Sequence, residues 1–155
     1  MPPFTWSDSW LLLSIGAAGG RIGAPLKDII AAGDLLNHAV FTGPELRRGL
    51  SKLVAAGYVV QVGDRFQAAG EALELLQQSN GVAIRSVWER CDRLLGLPPN
   101  SYTSDANVED PNWSYAYASE EVVQAACREY QSEAVDATQI ALHYAARMSS
   151  GRKRP

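Results

Sequence analysis

The chain has 155 residues, and hydrophobic residues make up 46% of it, enough to bury a core in one domain and too many for a disordered tail. The formal net charge is −3, and no apolar run approaches the roughly 20 residues that cross a bilayer, so we expect no membrane span. The start, MPPFTWSDSW, lacks the basic residues of a signal peptide, so we expect a cytoplasmic protein.

The first predicted helix begins after Thr5. Thr5 is a suitable N-cap with Asp8 in the capping-box position, and Gly19-Gly20 end the helix. Its expected apolar face consists of Trp10, Leu11, Leu13, Ser14, Ala17 and Ala18. We expect residues 21–23 to be extended.

A second helix is predicted from Ala24-Pro25, with Pro25 in its first turn. Its buried stripe is expected to contain Leu26, Ile29, Ile30 and Leu36. Gly33 lies inside this helix and weakens it by about 1 kcal/mol relative to alanine.

The clearest pattern lies in residues 42–57, TGPELRRGLSKLVAAG. Thr42 and Glu45 have capping-box spacing, and Gly57 is suited to the left-handed residue that ends a helix. Leucines and a valine recur on one face, at Leu46, Leu50, Leu53 and Val54. The opposite face carries Arg47, Arg48, Ser51 and Lys52. We expect that second face to be exposed.

A β-hairpin is predicted directly after this helix. Tyr58, Val60 and Val62 alternate along the first strand, and residues 65–67 return. Gly63-Asp64 suits a type II′ turn because glycine takes the positive φ at the first central position.

The rest of the chain predicts further helices around one irregular segment. Helices are expected from Gly70 to a break at residues 79–81, over about 82–95, and from Ser119 onward, ending at Met148 or breaking near Ser132. The last has an expected apolar side of Val122, Ala126, Tyr130, Ala137, Ile140 (or Ala141), Tyr144 and Met148. Residues 98–118 are rich in Pro, Asn and Asp but also carry Trp113 and three tyrosines, so we expect them to pack across the surface or meet a partner.

These elements predict a mostly α fold with a small β-hairpin wing. We expect a first domain at 1–78, a helical C-terminal extension at 79–150 and a basic tail at 151–155. The order helix, extended piece, helix, turn, helix, hairpin resembles a winged helix-turn-helix domain. Residues 42–59 are similar to the recognition helix and first wing strand of MarR-like or PadR-like regulators. The pattern departs at Ala68, where these families usually have threonine or serine.

The resemblance implies a DNA-binding transcriptional regulator. A recognition helix enters the major groove, and the wing reaches a neighbouring phosphate or the minor groove. The positions that would face DNA are Thr42, Arg47, Arg48, Ser51, Lys52 and Arg65. Such regulators bind two half-sites as homodimers, so the C-terminal helices would form the dimer interface.

The distribution of charge leaves a second function open. Residues 1–70 carry a net charge of +1, residues 71–150 carry −7, and the last five carry +3. The acidity thus lies mostly outside the proposed DNA surface, yet that surface is only weakly basic for a phosphate binder. The alternative is a winged-helix module that binds a protein, as an adaptor or an inhibitor.

An enzyme is the third and weakest hypothesis. His38 and His143 are far apart in sequence, and no nucleophile-and-base pattern surrounds them, so we assign no catalytic residues. No CxxC or Cys/His zinc spacing is present, and we expect no metal and no cofactor. Cys91 and Cys127 are expected to be thiols rather than a disulfide.

Overall fold

The computed structural model describes residues 1–99 and 113–134, which are mostly helical with a small three-stranded antiparallel sheet. The elements are α1 (Trp6–Gly19), β1 (Ala24–Pro25), α2 (Leu26–Asn37), α3 (Gly43–Ala55), β2 (Val59–Val62), β3 (Arg65–Ala68), α4 (Gly70–Gln77) and α5 (Ile84–Leu94). Residues 120–134 are also helical. The predicted class, mostly helical with a hairpin, is confirmed at this level.

Helix α1 lies at the centre of the fold. It contacts α2, α3, α4, α5 and the sheet, and residues 7–15 are all buried. The prediction of a single apolar face was therefore wrong: Leu12 and Ile15 are buried as well, and Ala17 is exposed. Because neighbours surround the helix, its polar side chains are buried too, including Asp8.

The capping boxes predicted for α1 and α3, the glycine after α3 and the glycine of the hairpin turn are confirmed. The Thr5 N–H donates to the Asp8 carboxylate at 2.7 Å, and the Thr42 N–H donates to Glu45 at 2.8 Å. Both contacts place an acidic group in the first turn, where the helix dipole favours it. After the C-terminal end of α3, Gly57 has the left-handed φ of 78° that stops the helix. Gly63 has the positive φ, 63°, that the hairpin turn requires.

The predicted extended piece lies further along the chain than expected. Residues 21–22 form a turn, and the strand is Ala24–Pro25 because these residues pair with Phe66 and Arg65 of β3. The sheet order is β1-β3-β2. Pro25 is consequently the N-cap of α2 and not its first helical residue.

Close packing of Phe41 against α2 explains why glycine is present at position 33, inside the helix. A Cβ built on Gly33 would overlap with Cε2 of Phe41, whose ring is buried. The Gly33 carbonyl also accepts a hydrogen bond from Trp10 Nε1 at 3.0 Å. Close packing of an aromatic ring against the backbone therefore accounts for glycine at this position.

We expect Gly33→Ala to lower the free energy of unfolding, by up to about 2 kcal/mol. The gain of about 1 kcal/mol in helix propensity is smaller than the cost of forcing the Phe41 ring to move, which is roughly 1–3 kcal/mol for an overpacked core. Urea denaturation measures the difference. Gly43→Ala is the control, because its Cβ would meet Val123 at an ordinary 3.6 Å. An increase in stability for Gly33→Ala would contradict this account.

The helix at residues 120–134 begins as predicted, with the Val122 N–H donating to the Ser119 hydroxyl at 3.3 Å. Its buried side differs by one position: Val123 and Ala126 are buried, whereas Val122 is exposed. The helix passes Ser132 without a break. Its predicted continuation to Met148, with the other apolar positions named for that stretch, lies outside the described residues. So do residues 100–112 and the basic tail at 151–155.

The two cysteines are free, as predicted. Cys91 is buried in the core, and burial together with the neighbouring Asp92 carboxylate raises the pKa of its thiol to about 12. Cys127 is half-buried, and burial raises its pKa as well. Both thiols are therefore poor nucleophiles at neutral pH.

Candidate functional site

Lys52, the most C-terminal residue of the predicted DNA-binding face, lies inside the protein. Its side chain is 6% exposed and forms an ion pair with Asp8, whose side chain is 1% exposed. The ammonium also donates to the Pro3 carbonyl at 3.2 Å and lies 5.8 Å from the centre of the Phe4 ring. The N-terminal residues thus cover this part of α3, and the prediction that Lys52 is exposed was wrong.

Arg48 and Ser51 are buried as well. Arg48 Nε donates to the Pro44 carbonyl at 3.1 Å, within the same helix. Ser51 is 1% exposed. Two further residues of the predicted exposed face therefore lie inside the protein.

Arg47 is half-buried and faces the second described stretch of the chain. Its guanidinium lies 5.8 Å from the centre of the Tyr115 ring, within the range of a cation–π contact. Residues 113–123 thus lie along the N-terminal half of α3, where Val123 also approaches Gly43. This contact agrees with the prediction that the aromatic segment packs across the surface.

The same arrangement affects an acidic residue. The pKa of Glu121 is lowered by the backbone N–H at its own position, by the Ser119 hydroxyl and by the positive charge of Arg47. The carboxylate therefore remains ionised near the start of α3. A negative charge at this place opposes the approach of a phosphate.

The last two predicted DNA contacts are Thr42, at the start of α3, and Arg65, at the start of β3. Thr42 is exposed, and its side chain belongs to the capping box with Glu45. Arg65 donates from Nε at 3.2 Å and from Nη2 at 2.8 Å to the Gly23 carbonyl. Its guanidinium is thus held against the residue that precedes β1. Of the six predicted residues, only Thr42 is exposed, whereas Arg47 and Arg65 are half-buried and the other three are buried.

The exposed part of the hairpin is apolar and acidic. Val62 is 64% exposed, Val60 is partly exposed, and Asp64 occupies the turn. Ile22, which precedes β1, is 78% exposed. Sequence analysis did not single out these side chains as a contact surface, although the alternating valines of β2 were visible in it.

Residues 120–134 are also attached to α2. Lys27 pairs with Glu129 at 3.2 Å and with Glu133 at 2.7 Å, and hydrogen bonds to these two carboxylates raise its pKa. The Tyr130 hydroxyl donates to Asp34, which raises the pKa of Tyr130. The C-terminal part of the described chain therefore packs on its own α2 and α3.

A groove that sequence analysis missed runs along α5. It has a volume of about 760 Å³, and we call it the Trp88 groove. Its walls include Trp6, Asn37, Ile84, Trp88, Asp92 and Leu97. Trp6 and Trp88 are half-buried, and the centres of their rings lie 5.3 Å apart at the edge of the core.

Residues 1–99 and 113–134 contain no group of three or more His, Cys, Asp or Glu side chains arranged to hold a metal ion. His38 is the exposed C-cap of α2 at φ 52°, and His143 lies outside the described residues. No described helix is long and apolar enough to cross a membrane.

Comparison of the chain with protein-family models, with curated proteins and with solved structures finds no match.

Proposed function

We propose that the chain is a winged-helix protein-interaction module and does not bind DNA through α3. The observation that carries the proposal is the buried pairing of Lys52 with Asp8. A residue that reads DNA must reach base edges or phosphates from the protein surface. Lys52 instead neutralises a carboxylate in the core, and its release would leave Asp8 buried without its partner.

The winged-helix assignment is supported by the order and pairing of the elements. Helix α3 follows α2 after a short turn, the hairpin β2–β3 follows α3, and β1 pairs with β3. In a winged helix α3 would be the recognition helix and the hairpin would be the wing. Fold alone does not determine function. Whether the partner is DNA or a protein therefore depends on the side chains exposed on α3 and on the hairpin.

That surface favours a protein partner. Binding of DNA draws on several Lys or Arg side chains that displace counterions from phosphates. Here Lys52 and Arg48 are buried, Arg65 is held by Gly23, and Arg47 lies over Tyr115. Exposed valines and an aspartate occupy the hairpin in their place, so the hairpin presents an apolar and acidic surface rather than a basic one.

A titration with DNA tests the proposal. Fluorescence anisotropy of labelled duplexes enriched from a randomised pool should show no sequence-specific binding at low salt. Arg47→Ala, which changes the one half-buried arginine on α3, should leave the titration unchanged. Tight, salt-dependent binding that Arg47→Ala weakens would overturn the proposal, because phosphate contacts by that side chain would then be required.

A second measurement tests for the partner itself. The full-length protein, crosslinked in the cells that produce it and purified after nuclease treatment, should retain a protein partner in a fixed ratio. The complex should then form again from the two purified proteins, as measured by calorimetry. Failure to find such a partner, together with specific DNA binding, would favour the regulator hypothesis.

A further inference from the structure

We infer that the Trp88 groove is the docking site for an extended, uncharged peptide segment of a partner protein, with a bulky apolar side chain as its anchor. The inference rests on the proposed function in its choice of a protein as the ligand. The groove itself is a separate observation, since it lies along α5 and not on α3 or the hairpin.

The apolar part of the groove is suited to an aromatic or large aliphatic side chain. Four stacked aromatic rings, which we call the ring ladder, lead from the core to the groove in the order Phe41, Trp10, Trp6 and Trp88. The distances between the centres of successive rings are 3.6, 5.7 and 5.3 Å. Ile84, one turn before Trp88, is half exposed. Aromatic and aliphatic walls with a few polar groups are typical of binding grooves.

One hydrogen-bond donor and one acceptor on the groove residues lack a partner, so a matching ligand would carry both an acceptor and a donor. Trp88 Nε1 and Asp92 Oδ1 are shut off from solvent and have no hydrogen-bond partner among the described residues. Buried polar groups in proteins are almost always paired. Residues 88 and 92 are one helical turn apart, so a single group along α5 can meet both.

A peptide backbone supplies that combination. Its carbonyl accepts from the Trp88 indole N–H, and its N–H donates to the Asp92 carboxylate. A ligand helix is less suitable because its backbone groups are already paired internally. Since both groove atoms are shut off from solvent, docking requires the half-buried Trp88 ring to shift.

The charges around the groove favour a neutral segment. Arg85 and Arg93 are balanced by Glu89 and Asp92, and Arg85 pairs with Glu89 at 3.4 Å. The rim therefore has no excess of either sign to attract a charged partner. A strongly acidic or basic peptide would gain nothing from this rim, whereas an uncharged segment leaves the existing pair intact.

The test is a titration of the full-length protein with acetyl-Gly-Phe-Gly-amide, followed by the indole ¹H–¹⁵N signals of its four tryptophans. The Trp88 signal, assigned with Trp88→Phe, should shift, and the signal of Trp113 should not. Trp88→Phe should weaken binding roughly fivefold and Asp92→Leu roughly tenfold, the loss of one hydrogen bond each. Trp113→Phe is the matched control, because it also removes a buried, unpaired indole N–H but lies outside the groove.

Three results would overturn the inference: no shift at millimolar peptide, shifts confined to other surfaces, or binding of acetyl-Gly-Gly-Gly-amide as tight as that of the phenylalanine peptide. Two further results would also overturn it: benzyl alcohol binding more tightly than the peptide would identify a small aromatic ligand instead, and a Trp88 shift on concentrating the protein alone would identify a second copy of the chain. The proposed function fails separately, in the DNA titration, which does not involve α5.

Discussion

Lys52→Met should lower the free energy of unfolding by roughly 3–5 kcal/mol, the usual cost of removing one partner from a buried ion pair. The reason is the carboxylate that remains. Asp8 is 1% exposed and keeps hydrogen bonds from the Thr5 N–H and hydroxyl, but no longer has a positive charge beside it. Urea denaturation measures the loss, and the dependence of the free energy of unfolding on urea concentration should be the same for both proteins.

Two further variants separate the buried pair from the loss of lysine as such. Lys27→Met makes the same chemical change at an exposed ion pair, so it should leave stability almost unchanged. In the Lys52→Met background, Asp8→Asn should restore much of the lost stability, because it removes the unpaired charge while keeping an acceptor for Thr5. If Lys52→Met were as mild as Lys27→Met, Lys52 would be exposed in solution and α3 would be available to DNA.

The sequence predicts the local features of this fold well. Capping boxes at Thr5 and Thr42, the helix stop at Gly57 and the hairpin turn at Gly63 are all present at the predicted residues. Each depends on side chains or φ angles within about four positions of one another. Such short-range chemistry is independent of the rest of the fold, which is why a single sequence is sufficient to recognise it.

The candidate DNA surface was predicted less well because its burial depends on distant segments. Helical periodicity correctly places Leu46, Leu50 and Leu53 in the core. It says nothing about what covers the opposite face. Asp8 is 44 positions from Lys52, and the Tyr115 ring is still further from Arg47 in sequence. A polar helix face was therefore interpreted as exposed although the chain itself covers it.

The Trp88 groove was missed for a related reason. Apolar spacing identifies Trp6 and Trp88 as residues that avoid water, but spacing does not distinguish a filled core from the wall of a groove. Asp92, one turn after Trp88, was the available signal, since an acidic residue on an apolar face needs a partner. Dimerisation through the C-terminal helices stays a prediction, and residues 120–134 contact α2 of the same chain.

Trp10→Ala should lower the free energy of unfolding by about 3–5 kcal/mol, the range for removing a large aromatic side chain from a core. Trp10 is 2% exposed and lies in the ring ladder between Phe41 and Trp6, so its loss leaves a cavity where α1 meets α2. Denaturation should be followed by far-UV circular dichroism, because the substitution removes a fluorophore.

Trp10→Phe distinguishes the ring from its hydrogen bond. Phenylalanine retains most of the stacking but leaves the Gly33 carbonyl, 3.0 Å from Nε1, without its donor, a loss of roughly 1–3 kcal/mol. Trp113→Phe, outside the ladder, should lower the free energy of unfolding by less than Trp10→Phe, because the Trp113 indole N–H has no hydrogen bond to lose. If Trp10→Phe were as damaging as Trp10→Ala, the hydrogen bond to Gly33 and not the ring ladder would hold α1 against α2.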